Sequence, residues 1–317
     1  MKQNRKQLVV LGILTVAVIA IFITWGLTSN NVGFFLPRRL KKIGAIIISA
    51  YCIGYSSVTF QTVTNNKILT PSVMGLDSLY MFIQTVIVFF FGSKQLVMMS
   101  GASNFFLSVI LMMICSCILF LLMFGGDGKS LYFLILSGMI VGSLFGGLST
   151  FMQVLLDPNE FTILQGQMFA SFSKVNEDLL FISILVIVLV LAVTLKDYGK
   201  LDVLSLGPDH AINLGIDYKR VVFKTLLIVS LLVSVSTALT GPITFLGILV
   251  ASLSREMFKT YKHSVRILGA VLLGTFALVF GQLIIERVFH FETTISVIIN
   301  FVGGIYFIYL IVKEQMA

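Results

Sequence analysis

A bundle of membrane-spanning helices is the fold class this chain predicts, and three observations predict it. Of its 317 residues, 57% are hydrophobic and only 11% are charged, against about 25% charged in ordinary soluble domains. The apolar residues come in runs of about 20, the length that crosses a bilayer's hydrocarbon core as a helix. The five prolines, Pro37, Pro71, Pro158, Pro208 and Pro242, fall at the ends of those runs or between them. Backbone groups in lipid find no water, so each run must satisfy its own N–H and C=O groups as a helix. The expectation is an all-α integral membrane protein of about ten spans, with residues 1–317 forming one transmembrane domain and no soluble domain of useful size.

Taken in order, the spans are expected at about 8–28, 43–63, 73–92, 104–124, 131–156, 179–195, 221–240, 265–285 and 294–312. A further short one, at about 243–257, starts just after Gly241-Pro242. The first follows Lys2, Arg5 and Lys6 in the manner of a signal peptide. It has no small-residue cleavage site before Asn30 and reads as a retained helix. Cys52, Cys115 and Cys117 all fall inside spans, so they imply neither a disulfide nor a metal framework.

One long polar passage interrupts this pattern, Lys196 to Arg220, reading KDYGKLDVLSLGPDHAINLGIDYKR. Two Leu-Gly steps, Leu206-Gly207 and Leu214-Gly215, bracket Pro208, Asp209, His210 and Ala211. Glycine tolerates the left-handed backbone that closes a helix, and proline suits the first turn of the next. The passage is therefore expected to form two short helices at a membrane face, a feature a soluble subunit can grip.

The positive-inside rule orients the bundle. With both termini cytoplasmic, Arg38, Arg39, Lys41, Lys42, Lys94, Lys174 and Arg287 lie at outer ends, and the remaining 15 of the 22 basic residues lie inside. The Lys196–Arg220 passage is then cytoplasmic, as is the basic 255–266 loop. The net charge of +8 follows from topology and needs no nucleic acid. Arg38, Arg39, Lys41 and Lys42 break the rule together, and Arg287 joins them. Two readings stand side by side: snorkelling to lipid phosphates, or a basic rim that meets an acidic partner or anionic solute.

Gly138, Gly142 and Gly146 recur every four residues, a spacing that lets helices approach closely in lipid. The stripe reads either as helix packing or as the lining of a passage that changes width. Polar residues at depth are few: Gln61, Gln84, Gln153, Gln282 and Asn300, with Asp77 near the start of the third span as a helix-start acid. Interfacial solvation suffices for Gln61 and Gln153. No buried chain of Asp, Glu or His suggests a proton relay. His210, His263 and His290 are scattered among loops and their edges. No GxxxxGK[ST] is present to hold ATP, and no nucleophile–base pair stands out. The residues favour a conduit over an enzyme.

Four motifs, in order along nearly the whole chain, resemble those of the FecCD-type permeases of bacterial ABC importers for iron–siderophores, haem and vitamin B12. Leu36-Pro37-Arg38 resembles R-L-P-R, and QTVTNNKILTPSVMG (Gln61–Gly75) resembles Q-x-x-x-R-N-P-L-A-x-P-x-x-L-G. LSLGPDHAINLG (Leu204–Gly215) resembles L-x-L-G-x-x-x-A-x-x-L-G, the most specific of the set, and ALTGPITFLG (Ala238–Gly247) resembles A-x-x-G-x-I-x-F-x-G-L. The resemblance implies a ten-helix permease domain in the bacterial inner or plasma membrane, paired with a second permease subunit around a central path. It implies two ATPase subunits that bind ATP and Mg, an extracytoplasmic substrate-binding protein, and a ferric siderophore as cargo. Leu204, Leu206, Gly207, Ala211, Leu214 and Gly215, within a coupling segment at about 197–220, would then engage the ATPase. Arg38, Arg39 and Arg287 would dock the binding protein, and Gln61, Gly138, Gly142 and Gly146 would line the path or pack helices.

The sequence departs from the family pattern in places. Phe35 stands where R-L-P-R has its first arginine, moving that contact toward Arg39. Leu76-Asp77-Ser78-Leu79-Tyr80 replaces V-S-x-G-A, and Val250-Ala251-Ser252-Leu253-Ser254-Arg255 replaces V-P-H-x-x-R. These changes resemble a subgroup with two different permease subunits that serves catecholate or mixed citrate–catecholate siderophores of the petrobactin kind. Against this stand an ion-coupled secondary transporter, which would need intramembrane carboxylates or unwound helices in matched halves, and a membrane scaffold or intramembrane enzyme.

Overall fold

The computed structural model describes residues 2–27, 31–98, 101–124, 131–173 and 175–315; Lys174, placed at an outer end by the charge rule, and Lys129, one of the 15 basic residues placed inside, lie outside them. Among the described residues all regular structure is helical. The first half comprises α1 (Lys2–Thr24), α2 (Val32–Val63), α3 (Leu76–Met98), α4 (Gly101–Phe124), α5 (Leu131–Val154) and α6 (Pro158–Met168). The second comprises α7 (Glu177–Thr194), α8 (Tyr198–Leu204), α9 (Pro208–Asn213), α10 (Tyr218–Thr240), α11 (Leu246–Met257), α12 (His263–Arg287) and α13 (Ile295–Gln315). Among the described residues, eight stretches are long and apolar enough to cross a membrane. The apolar run Leu76–Gly92 of α3 is shorter, and α11 has 12 residues.

Four elements differ from the sequence expectation. Helix α2 begins at Val32, not near residue 43, so Pro37 lies inside a helix and the basic cluster rides on its first turns. Hydropathy marks only the part of a helix that lipid or core covers, and at 32 residues α2 is about 48 Å long, well beyond a hydrocarbon core of roughly 30 Å. The third span starts with a 3₁₀ turn at Pro71–Met74 that Gly75 closes at φ 85°. Helix α3 is broken at Gly92, where φ is 78° and ψ 158°. Helix α6 was not expected at all; Asp157 in extended conformation followed by Pro158 at the first helical position is the start signal that announces it.

Helix α2 organises the bundle and packs most extensively on α12 and α10. Its contact with α12 is antiparallel and close. A Cβ on Gly54 would lie 3.2 Å from the Ala270 carbonyl carbon, and one on Gly274 would lie 3.3 Å from the Ala50 Cβ. Around this pair a first apolar core gathers α1, α7, α11 and α13, with Tyr55, Leu232, Leu246 and Leu278 fully buried. A second core joins α3 and α4 to α8, α9 and α10 through Phe60, Met112, Leu204, Ala211 and Leu226. The short helices of the polar passage are thus anchored in the second core by two inward residues.

Candidate functional site

At one end of the bundle the Lys196–Arg220 passage folds as expected into two short helices. Gly207 sits at φ 100° between them, and Pro208 opens α9. The chain then turns at Gly215, φ 81°, where Ile216 N–H donates to the Ala211 carbonyl at 3.0 Å. Leu204 and Ala211 face inward and are buried, whereas Leu206, Ile212 and Leu214 are more than half exposed. No atom approaches a Cβ built on Gly207 or Gly215. The segment therefore offers an apolar, uncovered face on a backbone held by two left-handed glycines. Asp217 caps α10 by accepting from the Arg220 N–H at 3.2 Å. Asp197 accepts from Lys200 at 2.9 Å and Lys224 at 2.5 Å, tying α8 to α10.

Two polar connections at this end carry no local mark in the sequence. His263, first residue of α12 and fully buried, donates its backbone N–H and its Nδ1–H to Asp202 Oδ1 of α8, at 2.7 and 2.6 Å. Its Nε2 lies 2.7 Å from the Thr62 hydroxyl near the end of α2. Arg255 of α11 donates to the Gln61 side-chain oxygen and, at 3.0 Å, to the Lys67 carbonyl. Gln61 is thus buried with its side-chain oxygen partnered, and interfacial solvation does not account for it. Gln61, Thr62, Lys67, Ser205, Arg255 and Arg266 surround a cavity of about 160 Å³.

The basic rim occupies the opposite end. Arg38, Arg39, Lys41, Lys42, Glu286 and Arg287 border an open cavity of about 890 Å³. Arg38 is exposed and lies 3.8 Å over the Phe34 ring. Arg39 differs from the expectation of an outward contact: it is buried and donates Nη1 to the Ile23 carbonyl at 2.6 Å. Arg287 is exposed and donates Nη2 to the Trp25 carbonyl, also at 2.6 Å. Both bonds satisfy carbonyls at the C-terminal end of α1, where the helix leaves acceptors open and its dipole favours positive charge. Lys42 pairs with Glu286 at 2.7 Å, both largely buried, and Lys41 pairs with Glu177. The sequence neighbour of Arg287 is therefore neutralised by Lys42.

Between the ends, the glycine stripe of α5 is a packing surface. Gly142 meets Gly75 backbone to backbone, a Cβ there falling 2.6 Å from the Gly75 Cα, and Gly138 receives Met74. Gly146 has only the Ser78 hydroxyl, 4.0 Å from a built Cβ. The other faces of α5 carry exposed Ile140, Leu144, Phe151 and Val154. Asp77, in the first turn of α3, accepts from the Thr244 hydroxyl at 3.0 Å. No three His, Cys, Asp or Glu side chains come together as a metal site among the described residues.

The chain thus joins an all-helical, multi-pass membrane fold to an exposed apolar face at one end and a basic rim at the other. The profile of the FecCD transport family matches residues 7–313, and the chain belongs to that family. It is 51% identical over 313 residues to the petrobactin import system permease protein YclO of Bacillus subtilis, covering 99% of both chains. It is 38% identical to the petrobactin import system permease protein FatC of Bacillus anthracis, over 89% of this chain and 80% of that one. A solved structure described as a metal-chelate type ABC transporter in an inward-facing conformation superposes with a TM-score of 0.84 over 98% of this chain and 99% of the other; at 23% identity it attests the fold.

Proposed function

We propose that this chain is one permease subunit of a bacterial ABC importer that moves a ferric siderophore of the petrobactin class into the cytoplasm. The observation that carries the reading is the polar passage: two anchored short helices that hold Leu206, Ile212 and Leu214 outward on the glycine hinges Gly207 and Gly215. An apolar face uncovered at the end of a membrane bundle is suited to a soluble subunit. The relatives named for petrobactin import supply the cargo class.

In this reading α1–α5, α7 and α10–α13 are ten spans, both termini are cytoplasmic, and the chain forms a single permease domain in the inner or plasma membrane. Leu204, Leu206, Gly207, Ala211, Leu214 and Gly215 form the coupling segment, inserted into each of two ATPase subunits by the two permeases. ATP and Mg act there, on the partner. Arg38 and Arg287 meet acidic residues of the substrate-binding protein, with Arg39 holding the helix beneath them. A different permease chain pairs with this one, and the exposed apolar faces of α5 and α13 are available to it. Gly138 and Gly142 fix α5 against the 3₁₀ turn, and Gln61 closes on Arg255. ATP binding shifts the pair between outward-open and inward-open arrangements.

The test is uptake of ⁵⁵Fe-petrobactin into proteoliposomes holding this chain, its permease partner, the ATPase and the binding protein. Accumulation is expected with ATP and Mg inside and none with ATP omitted. Accumulation driven by a proton or sodium gradient alone would instead mark a secondary transporter.

A further inference from the structure

Helices α2 and α12 are joined near both ends as well as along their middle. At the rim, Lys42 of α2 pairs with Glu286 of α12 at 2.7 Å, and the pair is largely withdrawn from solvent. In the middle, Ala50 lies against Gly274 and Gly54 against the Ala270 backbone. At the far end, Thr62 meets His263 at 2.7 Å. These partners run in one antiparallel register, α2 descending as α12 rises. Helix α12 has 25 residues and is about 37 Å long, so its last residue, Arg287, stands at the rim while its first, His263, stands at the coupling segment.

The far end of this pair is not merely near the coupling segment. Asp202 belongs to α8 and takes two hydrogen bonds from His263, one from backbone and one from Nδ1–H. With Nδ1 donating to the carboxylate, Nε2 faces the Thr62 hydroxyl, which also lies 3.0 Å from the Val58 carbonyl within α2. A single buried imidazole thus joins α8, α12 and α2, each of its polar hydrogens or lone pairs directed at a different element. Breaking such a linkage would leave buried polar groups unmatched, so the three helix ends are held as one unit.

We propose that α2 and α12 act as one rigid strut that carries the docking state of the basic rim to the coupling segment, with Asp202, His263 and Thr62 as its inner joint and Lys42–Glu286 as its outer pin. The proposal rests on the reading of Leu204–Gly215 as the ATPase contact. Asp202, His263 and Thr62 are positioning residues, each acting through the helix it ties. Coupling needs packed elements that move together, and the strut meets that condition between two sites at opposite ends of the bundle.

The experiment measures ATP hydrolysis by the complete importer in nanodiscs, with and without saturating binding protein loaded with ferric petrobactin. Thr62→Val removes one hydroxyl at nearly constant shape; Asp202→Asn and Glu286→Gln remove charge at constant shape. In Thr62→Val and Glu286→Gln, basal hydrolysis and ATPase assembly are expected to stay at wild-type levels. Stimulation by the binding protein is expected to fall roughly two- to thirtyfold, the span that substitutions along linked elements produce. Thr62→Val combined with Glu286→Gln is expected to be no worse than either alone, because a strut cut once is already cut. Wild-type stimulation in both Thr62→Val and Asp202→Asn would overturn the strut, as would strictly additive losses in the combined variant. Loss of ATPase assembly in Thr62→Val would overturn it too, reducing the joint to part of the docking face. A Gly207→Val/Gly215→Val complex separates the two levels. If it is inactive while the strut variants respond normally, only the strut fails; if it transports normally, the coupling reading fails.

Discussion

The middle of the bundle and its ends are held by different forces. Around Gly142 the backbone of α5 rests on the backbone at Gly75, with no space for a side chain on either. Around Gly207 there is open space, and glycine is required there only because φ is 100°. The rim shows a third situation, in which Arg39 and Arg287 hold α1 by hydrogen bonds to its last carbonyls. Close backbone contact is intolerant of added volume, left-handed backbone is intolerant of a Cβ, and a surface hydrogen bond is replaceable at modest cost. The three regions should therefore fail in different ways when each is changed.

The largest effect is expected in the middle. Gly142→Leu places a branched side chain where even a Cβ would lie 2.6 Å from the Gly75 Cα. Overpacking of this kind costs typically about 1–3 kcal/mol, and here the neighbour is backbone, which cannot rotate away. The purified variant is expected to melt several degrees below wild type and to lose uptake with it. Wild-type melting and uptake would mean that α5 separates from the Pro71–Met74 turn without consequence, and the contrast drawn above would collapse.

Next comes the coupling segment, where function and stability should part. Valine at Gly207 and Gly215 forces a β-branched residue to positive φ, a strain of order 1–3 kcal/mol per site. The segment is anchored by Leu201, Leu204 and Ala211 and by the Asp202–His263 hydrogen bonds, while Leu206, Ile212 and Leu214 face outward. The cost falls on the turns at the two ends of α9, where no neighbouring atom lies within 4 Å of a built Cβ. Gly207→Val/Gly215→Val is expected to insert and melt like wild type while ATP-driven uptake falls to background. Unchanged uptake would remove this segment from the coupling path.

The same contrast explains what was legible in the sequence. Apolar runs and the Gly-Pro step at Gly207-Pro208 are local signals, and they pointed to the apolar helices and to both short ones. The early start of α2 was hidden because Pro37, Arg38 and Arg39 look like a boundary to any hydropathy reading, although a helix continues through them outside the apolar layer. Helix α6 was missed although Asp157-Pro158 signals a helix start. The Gly138/Gly142 stripe was visible, but its partner, Gly75, lies in a turn more than sixty residues earlier. The Asp202–His263–Thr62 joint was the least legible of all. Its members are 61 and 201 positions apart from His263, and a histidine at a loop edge carries no local mark of burial.

The smallest effect is expected at the rim, where it can separate the docking role of an arginine from its hold on the fold. Arg38 lies over Phe34 on the exposed face of α2, whereas Arg287 also satisfies the Trp25 carbonyl at the end of α1. Arg38→Glu should therefore weaken the binding protein's association and leave melting unchanged. Arg287→Glu should weaken association and also lower the melting temperature slightly, because a hydrogen bond to a charged group contributes about 1.5–3 kcal/mol when buried and less at an exposed site. Truncating one member of a desolvated interfacial ion pair costs about 2–5 kcal/mol, against roughly 0.2–1 kcal/mol for an exposed pair. Reversing the sign adds repulsion that salt screens over roughly 10 Å at 0.1 M. The measurement is the affinity of purified binding protein for nanodisc-held complex at two ionic strengths. The loss in Arg38→Glu with Arg287→Glu should be greater at the lower one, with ATPase assembly unaffected at the opposite end. Equal affinity for wild type and the double variant at low salt would assign both arginines to the fold and the lipid surface, and the rim would then differ from the middle of the bundle only in strength.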